Sequence, residues 1–290
     1  MLADWCRTNN VWGVQDMKIA TVGKGGSGKT TIAGTLARIF AKRQKRVLAI
    51  DGDPNPNLAL TLGMSREAAD GITYIPASIM KRGDVVDGVA QMVPQLSNDE
   101  IMKQFAVKVA DDVDLIVMGK PAHGSAGSGC MCASHRAVRG LITELTNIGE
   151  HTITDMEAGL EHLKRGTARH VDMMLVVAEP YYRSLEAAMR TAELADELGI
   201  PYVRVVANKV RSDDDLQAIQ AFCQQHKMTM IGTVPYDEAM MNAERDAKAP
   251  FDHAPESKAV EAIRAIAAEI DMIAGAAQAG SDRAGDDART

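Results

Sequence analysis

The run Gly23-Lys24-Gly25-Gly26-Ser27-Gly28-Lys29-Thr30-Thr31 has the spacing G-x-x-x-x-G-K-[ST], a pattern built to hold phosphate. Its glycines let backbone N–H groups turn inward onto phosphate oxygens. Lys29 supplies a point charge at the β- and γ-phosphates, and the Thr30 hydroxyl can bind Mg²⁺. The flanks agree with this chemistry. Lys18 to Val22 reads as a short apolar strand before the loop, and Ile32, Leu36, Ile39 and Phe40 mark a helix after it. The ligand these residues imply is a nucleoside triphosphate with its Mg²⁺.

Other chemistry-bearing residues follow strand-like runs. Asp51 and Asp53 stand two apart after Arg46–Ile50, so in extended backbone they face the same way. Beside a phosphate-bound Mg²⁺, such carboxylates can orient water or hold the metal's shell; for Asp51, capping of the loop is an equal alternative. Asp155 ends the run Thr152–Asp155, where a Walker B-type aspartate should stand. Cys130-Met131-Cys132 is a C-x-C pair at the end of the glycine-rich loop Gly119–Gly129. Two thiolates this close can hold one soft metal but cannot complete a tetrahedral site, whereas two copies meeting across a twofold axis supply four ligands. His123 and His135 lie near enough in sequence to serve as a third ligand. Two buried cysteines, or a redox pair, are the alternatives.

The elements that must position these groups alternate along the chain. Strand-length apolar runs occur at Lys18–Val22, Arg46–Ile50, Asp114–Met118, Thr152–Asp155, Met173–Ala178, Tyr202–Ala207 and Met228–Thr233. Helical patterns separate them, including Ser184–Leu198, stopped by Gly199, and Pro255–Ile273, striped by Val260, Ile263, Ala267 and Ile270. This predicts a single α/β domain with a mostly parallel sheet of seven or eight strands and helices on both faces. Ligands of such sheets lie beyond the carboxyl ends of the strands, where the polar residues cluster.

Bulk properties exclude several function classes. Among 290 residues the hydrophobic fraction is 46%, enough for a substantial core, while aromatics make up only 4%. Few aromatics and a net charge of −7 argue against a nucleic-acid surface. No run of about 18 apolar residues occurs, so no spanning helix is expected. Residues 1–16 lack a basic start and an apolar stretch and are read as an extension before the domain at 17–274. Residues 275–290 are read as a flexible tail, too little basic for a membrane anchor. Cys6 and Cys223 read as a tail thiol and a packing residue, and the chain as cytoplasmic without structural disulfides.

The loop with Lys24 directly after its first glycine resembles the deviant Walker A ATPases, the family of the nitrogenase iron protein, MinD and ParA. The resemblance implies that Lys24 reaches across a homodimer interface to the partner's nucleotide. It implies that Asp53, in D-x-D-P, lies near the attacking water and that Asp155 opens the second switch. Asn208-Lys209 and Pro235-Tyr236 then correspond to adenine-side segments. In the nitrogenase iron protein a second cluster cysteine lies near that switch, but Asp155 to Arg169 contains none. G-C-M-C followed by D-M-E-A-G-L-E-H-L-K-R-G-T is instead similar to the CooC-type accessory ATPases of nickel carbon monoxide dehydrogenase. This resemblance covers residues 17–270. It implies ATP/ADP and Mg²⁺, an interface site for Zn²⁺ or Ni²⁺ formed by Cys130 and Cys132 of two subunits, and nickel delivery to a client metalloenzyme. Glu161 and His162, after the second switch, are candidates for interface hydrogen bonds or for acid–base and metal roles. The alternatives are an iron–sulfur reductase component and a positioning ATPase of MinD or ParA type.

Overall fold

A computed structural model describes residues 17–43, 45–86, 89–118, 151–156 and 171–287. Eight strands form one sheet: β1 (Lys18–Gly23), β2 (Val47–Asp51), β5 (Val107–Lys108), β6 (Asp114–Val117), β7 (His151–Asp155), β8 (Met173–Ala178), β9 (Tyr202–Val210) and β10 (Met230–Pro235). Their order is β10-β9-β8-β1-β7-β2-β6-β5, and every pairing is parallel except that of the short edge strand β5 with β6. A separate antiparallel hairpin pairs β3 (Met80–Val86) with β4 (Val89–Pro94).

The helices are α1 (Lys29–Lys42), α2 (Leu58–Thr61), α3 (Arg66–Asp70), α4 (Asn98–Phe105), α5 (Tyr182–Glu197), α6 (Asp213–Gln225), α7 (Glu238–Arg245), α8 (Pro250–His253) and α9 (Lys258–Asp287). Side chains alternate across each strand, so one run of apolar residues feeds two cores. Ile19, Leu175 and Val177 join Ile32, Leu36 and Phe40 of α1 and Val260, Ile263 and Ile270 of α9 on one face. Ala20, Met174 and Val176 join Leu185 of α5 and Ile219 and Cys223 of α6 on the other. Leu48, Ile50 and Ile116 pack with Ile101 of α4.

The expected parallel α/β architecture is present, with eight strands. Several boundaries move for local reasons. The strand expected from Met228 begins at Met230, because the Met228 N–H bonds to Cys223 O at 2.8 Å and closes the turn after α6. The last helix runs on to Asp287 through the segment read from sequence as a tail, where Ala276, Ala277 and Ala279 favour helix. The helix after β8, expected from Ser184, begins at Tyr182 and buries Leu185, Ala188, Thr191 and Ala195.

Helix α1 is the element that ties the phosphate loop to the core. Leu36 is fully buried at its centre. Leu36→Ala is expected to lower unfolding stability by about 2–5 kcal/mol. In urea titration the midpoint should fall with an unchanged slope, and a midpoint equal to wild type would show that α1 is not packed as described.

Candidate functional site: a nucleotide cleft at the strand ends

The carboxyl ends of β1, β2, β9 and β10 open onto a cleft of about 550 Å³. Its floor is the loop between β1 and α1. Gly28 caps α1 with φ 94°, and a Cβ there would stand 2.3 Å from Asn208 Nδ2, so backbone conformation and close approach both require glycine. Gly23 is held as tightly, since a Cβ would meet Val177 O at 2.5 Å. The loop is secured from behind: Asn208 Nδ2 donates to Ser27 O at 2.6 Å, and Lys209 Nζ donates to Gly26 O at 2.5 Å while pairing with Glu179 at 3.0 Å. Lys209 adopts φ 58° to do so, left-handed geometry that a side chain normally avoids.

The two loop lysines occupy different places. Lys29 is 7% exposed, lines the cleft, and donates to Lys24 O at 3.4 Å. Lys24 is exposed and lies outside the cleft lining. Gly25, Gly26, Gly28, Thr30 and Thr31 also line the cleft, whereas Ser27 is buried beneath the loop and offers only its backbone.

Asp155 ends β7 with 1% exposure and accepts from Thr30 Oγ1 at 2.5 Å and Thr21 Oγ1 at 3.1 Å. Burial pushes its carboxyl up to about 6, against the lowering influence of the Thr30 hydroxyl and the Lys29 charge. Asp51 is its register partner on β2 and is 0% exposed. Burial and the neighbouring Asp155 push Asp51 up to about 7. The expectation that Asp51 and Asp53 face the same way is not met. The Asp51 carboxylate turns inward and accepts from Asp53 N at 3.2 Å and Leu58 N at 2.9 Å. Asp53 lines the cleft, with its own carboxylate accepting from Asn55 N at 2.8 Å. The chain leaves strand geometry at Gly52, whose N–H bonds to Asp155 O at 2.9 Å, so the loop-capping alternative describes Asp51.

Hard oxygens at Thr30 and Asp155, beside a lysine that can neutralise phosphate, fit Mg²⁺ with nucleotide. Thr30 would ligate the ion directly and Asp155 would hold its bound water; the ion would supply positive charge to the phosphates.

Val234, Pro235, Tyr236 and Met240 form the less polar end of the cleft, suited to a base, together with Asn208 and Lys209. Tyr236 carries Arg211 at 3.7 Å over its ring. Sequence reasoning missed Thr21, although a threonine inside the apolar run K-I-A-T-V was a signal. It also missed Asn57, Arg66, Glu244 and Lys248, which line the cleft from segments without a motif. Cys130, Cys132, His123, His135, Glu161 and His162 lie outside the described residues. Among the described residues no group of three or more His, Cys, Asp or Glu is arranged to hold a metal, and no helix is long and apolar enough to cross a membrane.

A parallel sheet, a glycine-rich phosphate loop and two strand-end aspartates define a P-loop nucleotide-binding protein. The sequence pattern of the CobQ/CobB/MinD/ParA nucleotide binding domain matches residues 18–251, and the chain belongs to that family. The carbon monoxide dehydrogenase accessory protein CooC of Rhodospirillum rubrum is 38% identical over 246 residues, 82% of this chain and 91% of the relative. An uncharacterized ATP-binding protein of Methanocaldococcus jannaschii is 37% identical over 240 residues, 79% of this chain and 88% of the relative. In three dimensions the chain is similar to MinD of Pyrococcus horikoshii, solved with Mg-ADP, with TM-score 0.66 at 18% identity over 89% of this chain and 96% of that one. It is similar also to a ParA family ATPase of Chlorobium tepidum, with TM-score 0.64 at 19% identity over 87% and 98%.

The raised carboxyls predict a pH effect with a definite sign. Between the ordinary value of 3.8 and about 6, the folded state keeps a proton on Asp155 that the unfolded chain has lost. Its contribution to stability therefore falls as pH rises through that window and levels off above it. Without Mg²⁺ and nucleotide, Asp155→Asn should gain stability relative to wild type from pH 4 to pH 7. Denaturant titrations across pH check this; a difference that is constant or shrinks with pH would contradict it.

Proposed function

We propose that this chain is an Mg²⁺-dependent ATPase that dimerises around nucleotide, holds a soft metal ion between its subunits, and inserts nickel into a carbon monoxide dehydrogenase-type enzyme. The observation that carries the reading is similarity along 91% of the CooC accessory protein, in a chain that also has a formed nucleotide cleft and a C-x-C pair. ATP binds with its phosphates on Gly23–Thr31 and its base between Asn208-Lys209 and Pro235-Tyr236. Lys29 neutralises the β- and γ-phosphates. Asp53 orients the attacking water, and Asp155 responds to loss of the γ-phosphate. Lys24, exposed and outside its own cleft, is free to reach the nucleotide of a second copy. Closure of the dimer brings Cys130 and Cys132 against their copies, giving four thiolates for Zn²⁺ or Ni²⁺. Hydrolysis loosens the interface and passes the ion to the client. The setting is cytoplasmic, without nucleic acid or membrane.

The test is metal titration at fixed protein concentration with ADP, with a non-hydrolysable ATP analogue, and in Cys130→Ala/Cys132→Ala. The reading predicts one ion per dimer, tighter binding with the ATP analogue, and loss of metal but not of nucleotide in the double variant. Because thiolates must shed protons to bind, affinity should fall at acidic pH. Lys24→Ala should keep ADP binding and lose ATP-driven dimerisation. One ion per monomer, bound equally in every nucleotide state, would contradict the shared site.

A further inference from the structure

The loop that carries Asp53 is pinned at both ends by one carboxylate. Asp51 Oδ1 accepts from the N–H of Asp53 at 3.2 Å, and Oδ2 accepts from the N–H of Leu58 at 2.9 Å. Residues 52–57 therefore leave the sheet and return to the start of α2 around a single buried side chain. Asp51 is itself immobilised, because its backbone lies in β2 between β7 and β6 and its carbonyl accepts from Met118 N at 2.9 Å. The same loop is tied to the neighbouring strand end by Gly52 N–H to Asp155 O at 2.9 Å. Asp155 in turn holds the Thr30 hydroxyl at 2.5 Å. Asp51 makes no contribution to the cleft lining, so its hydrogen bonds reach a ligand by way of Asp53.

We propose that Asp51 is a positioning residue for hydrolysis, setting the place of the Asp53 carboxylate by holding the N–H groups of Asp53 and Leu58. This rests on the reading of the cleft as an ATP-hydrolysing site with Asp53 orienting water. Two acceptor oxygens on a fixed strand are what the loop requires. A carboxylate supplies both, whereas an asparagine offers one oxygen and turns an amide N–H toward the remaining donor. The loop then loses one anchor while the phosphate contacts of Gly26, Lys29 and Thr30 stay in place. Displacement of a water-orienting group by about 1 Å is enough to cost on the order of 100-fold in rate. The effect belongs to the chemical step more than to nucleotide affinity, since the hydrogen bonds of the Asp51 carboxylate go to Asp53 and Leu58 and Asp51 does not line the cleft.

The experiment is a double-mutant cycle in steady-state ATP hydrolysis on the full chain with Mg²⁺, using wild type, Asp51→Asn, Asp53→Asn and the double variant. The expected result is a kcat about 10- to 100-fold lower in Asp51→Asn, with KM and ADP affinity within about threefold of wild type. In the double variant the rate should equal that of Asp53→Asn within about threefold, because a residue acting through another adds nothing once that other is gone. Multiplying effects in the double variant, or an Asp51→Asn that loses ADP affinity in step with kcat, would overturn the positioning role. If wild type does not hydrolyse ATP, or Asp53→Asn turns over at the wild-type rate, the reading of the site fails and the inference with it. Amide hydrogen exchange of the nucleotide-free wild-type chain covers the case in which Asp51→Asn does not fold. The Asp53 and Leu58 amides should be protected relative to that of the exposed Asn57, and exchange of all three at the rate of an open loop would overturn the proposal without any variant.

Discussion

Two carboxylates are buried side by side at the ends of adjacent strands, and the nucleotide cleft depends on how each is satisfied. The parallel register of β2 and β7 sets Asp51 opposite Asp155, with 0% and 1% exposure. A buried carboxylate is costly unless hydrogen bonds compensate it, and a second one alongside adds to the cost. The chain resolves the conflict by sending the two groups to different partners. Asp155 takes the hydroxyls of Thr21 and Thr30, and Asp51 takes the backbone of the loop that leads to α2. One aspartate thereby orders the phosphate loop and the other orders the loop bearing Asp53. The raised affinity of both for protons is the signature of that strain, relieved where a cation can approach Asp155.

Much of this was legible in the sequence because the features are local. The glycine spacing of the phosphate loop, the apolar runs at Lys18–Val22 and Met173–Ala178, and the stripe Val260, Ile263, Ala267, Ile270 each follow from a periodicity or a turn requirement. Less legible was anything set by long-range pairing. The edge strand β5 and the β3–β4 hairpin have no marked apolar period, and they exist because partner strands are near. The different orientations of Asp51 and Asp53 depend on where strand geometry stops, just past the last β2–β7 ladder bond from Gly52 N–H to Asp155 O, a point no sequence pattern marks. The second role of Asn208 and Lys209, bonding the carbonyls of Ser27 and Gly26 as well as lining the cleft, likewise needs the fold to bring the end of β9 near the loop after β1, across β8.

The arrangement separates duties between the loop's cations. Lys29 is buried and lines the cleft, and Lys24 is exposed outside the cleft lining. That division matches the proposal that one lysine binds nucleotide within the chain while the other serves association. Binding of MgATP in this cleft through Lys29 and Thr30 is open to direct observation. The most direct measurement is a crystal structure with Mg²⁺ and a non-hydrolysable ATP analogue. Phosphates are expected within hydrogen-bonding reach of Lys29 Nζ, a base against Pro235 and Tyr236, and a Thr30 hydroxyl moved from Asp155 onto the metal. Nucleotide bound elsewhere, or Thr30 still bonded to Asp155 with the cleft filled, would contradict it.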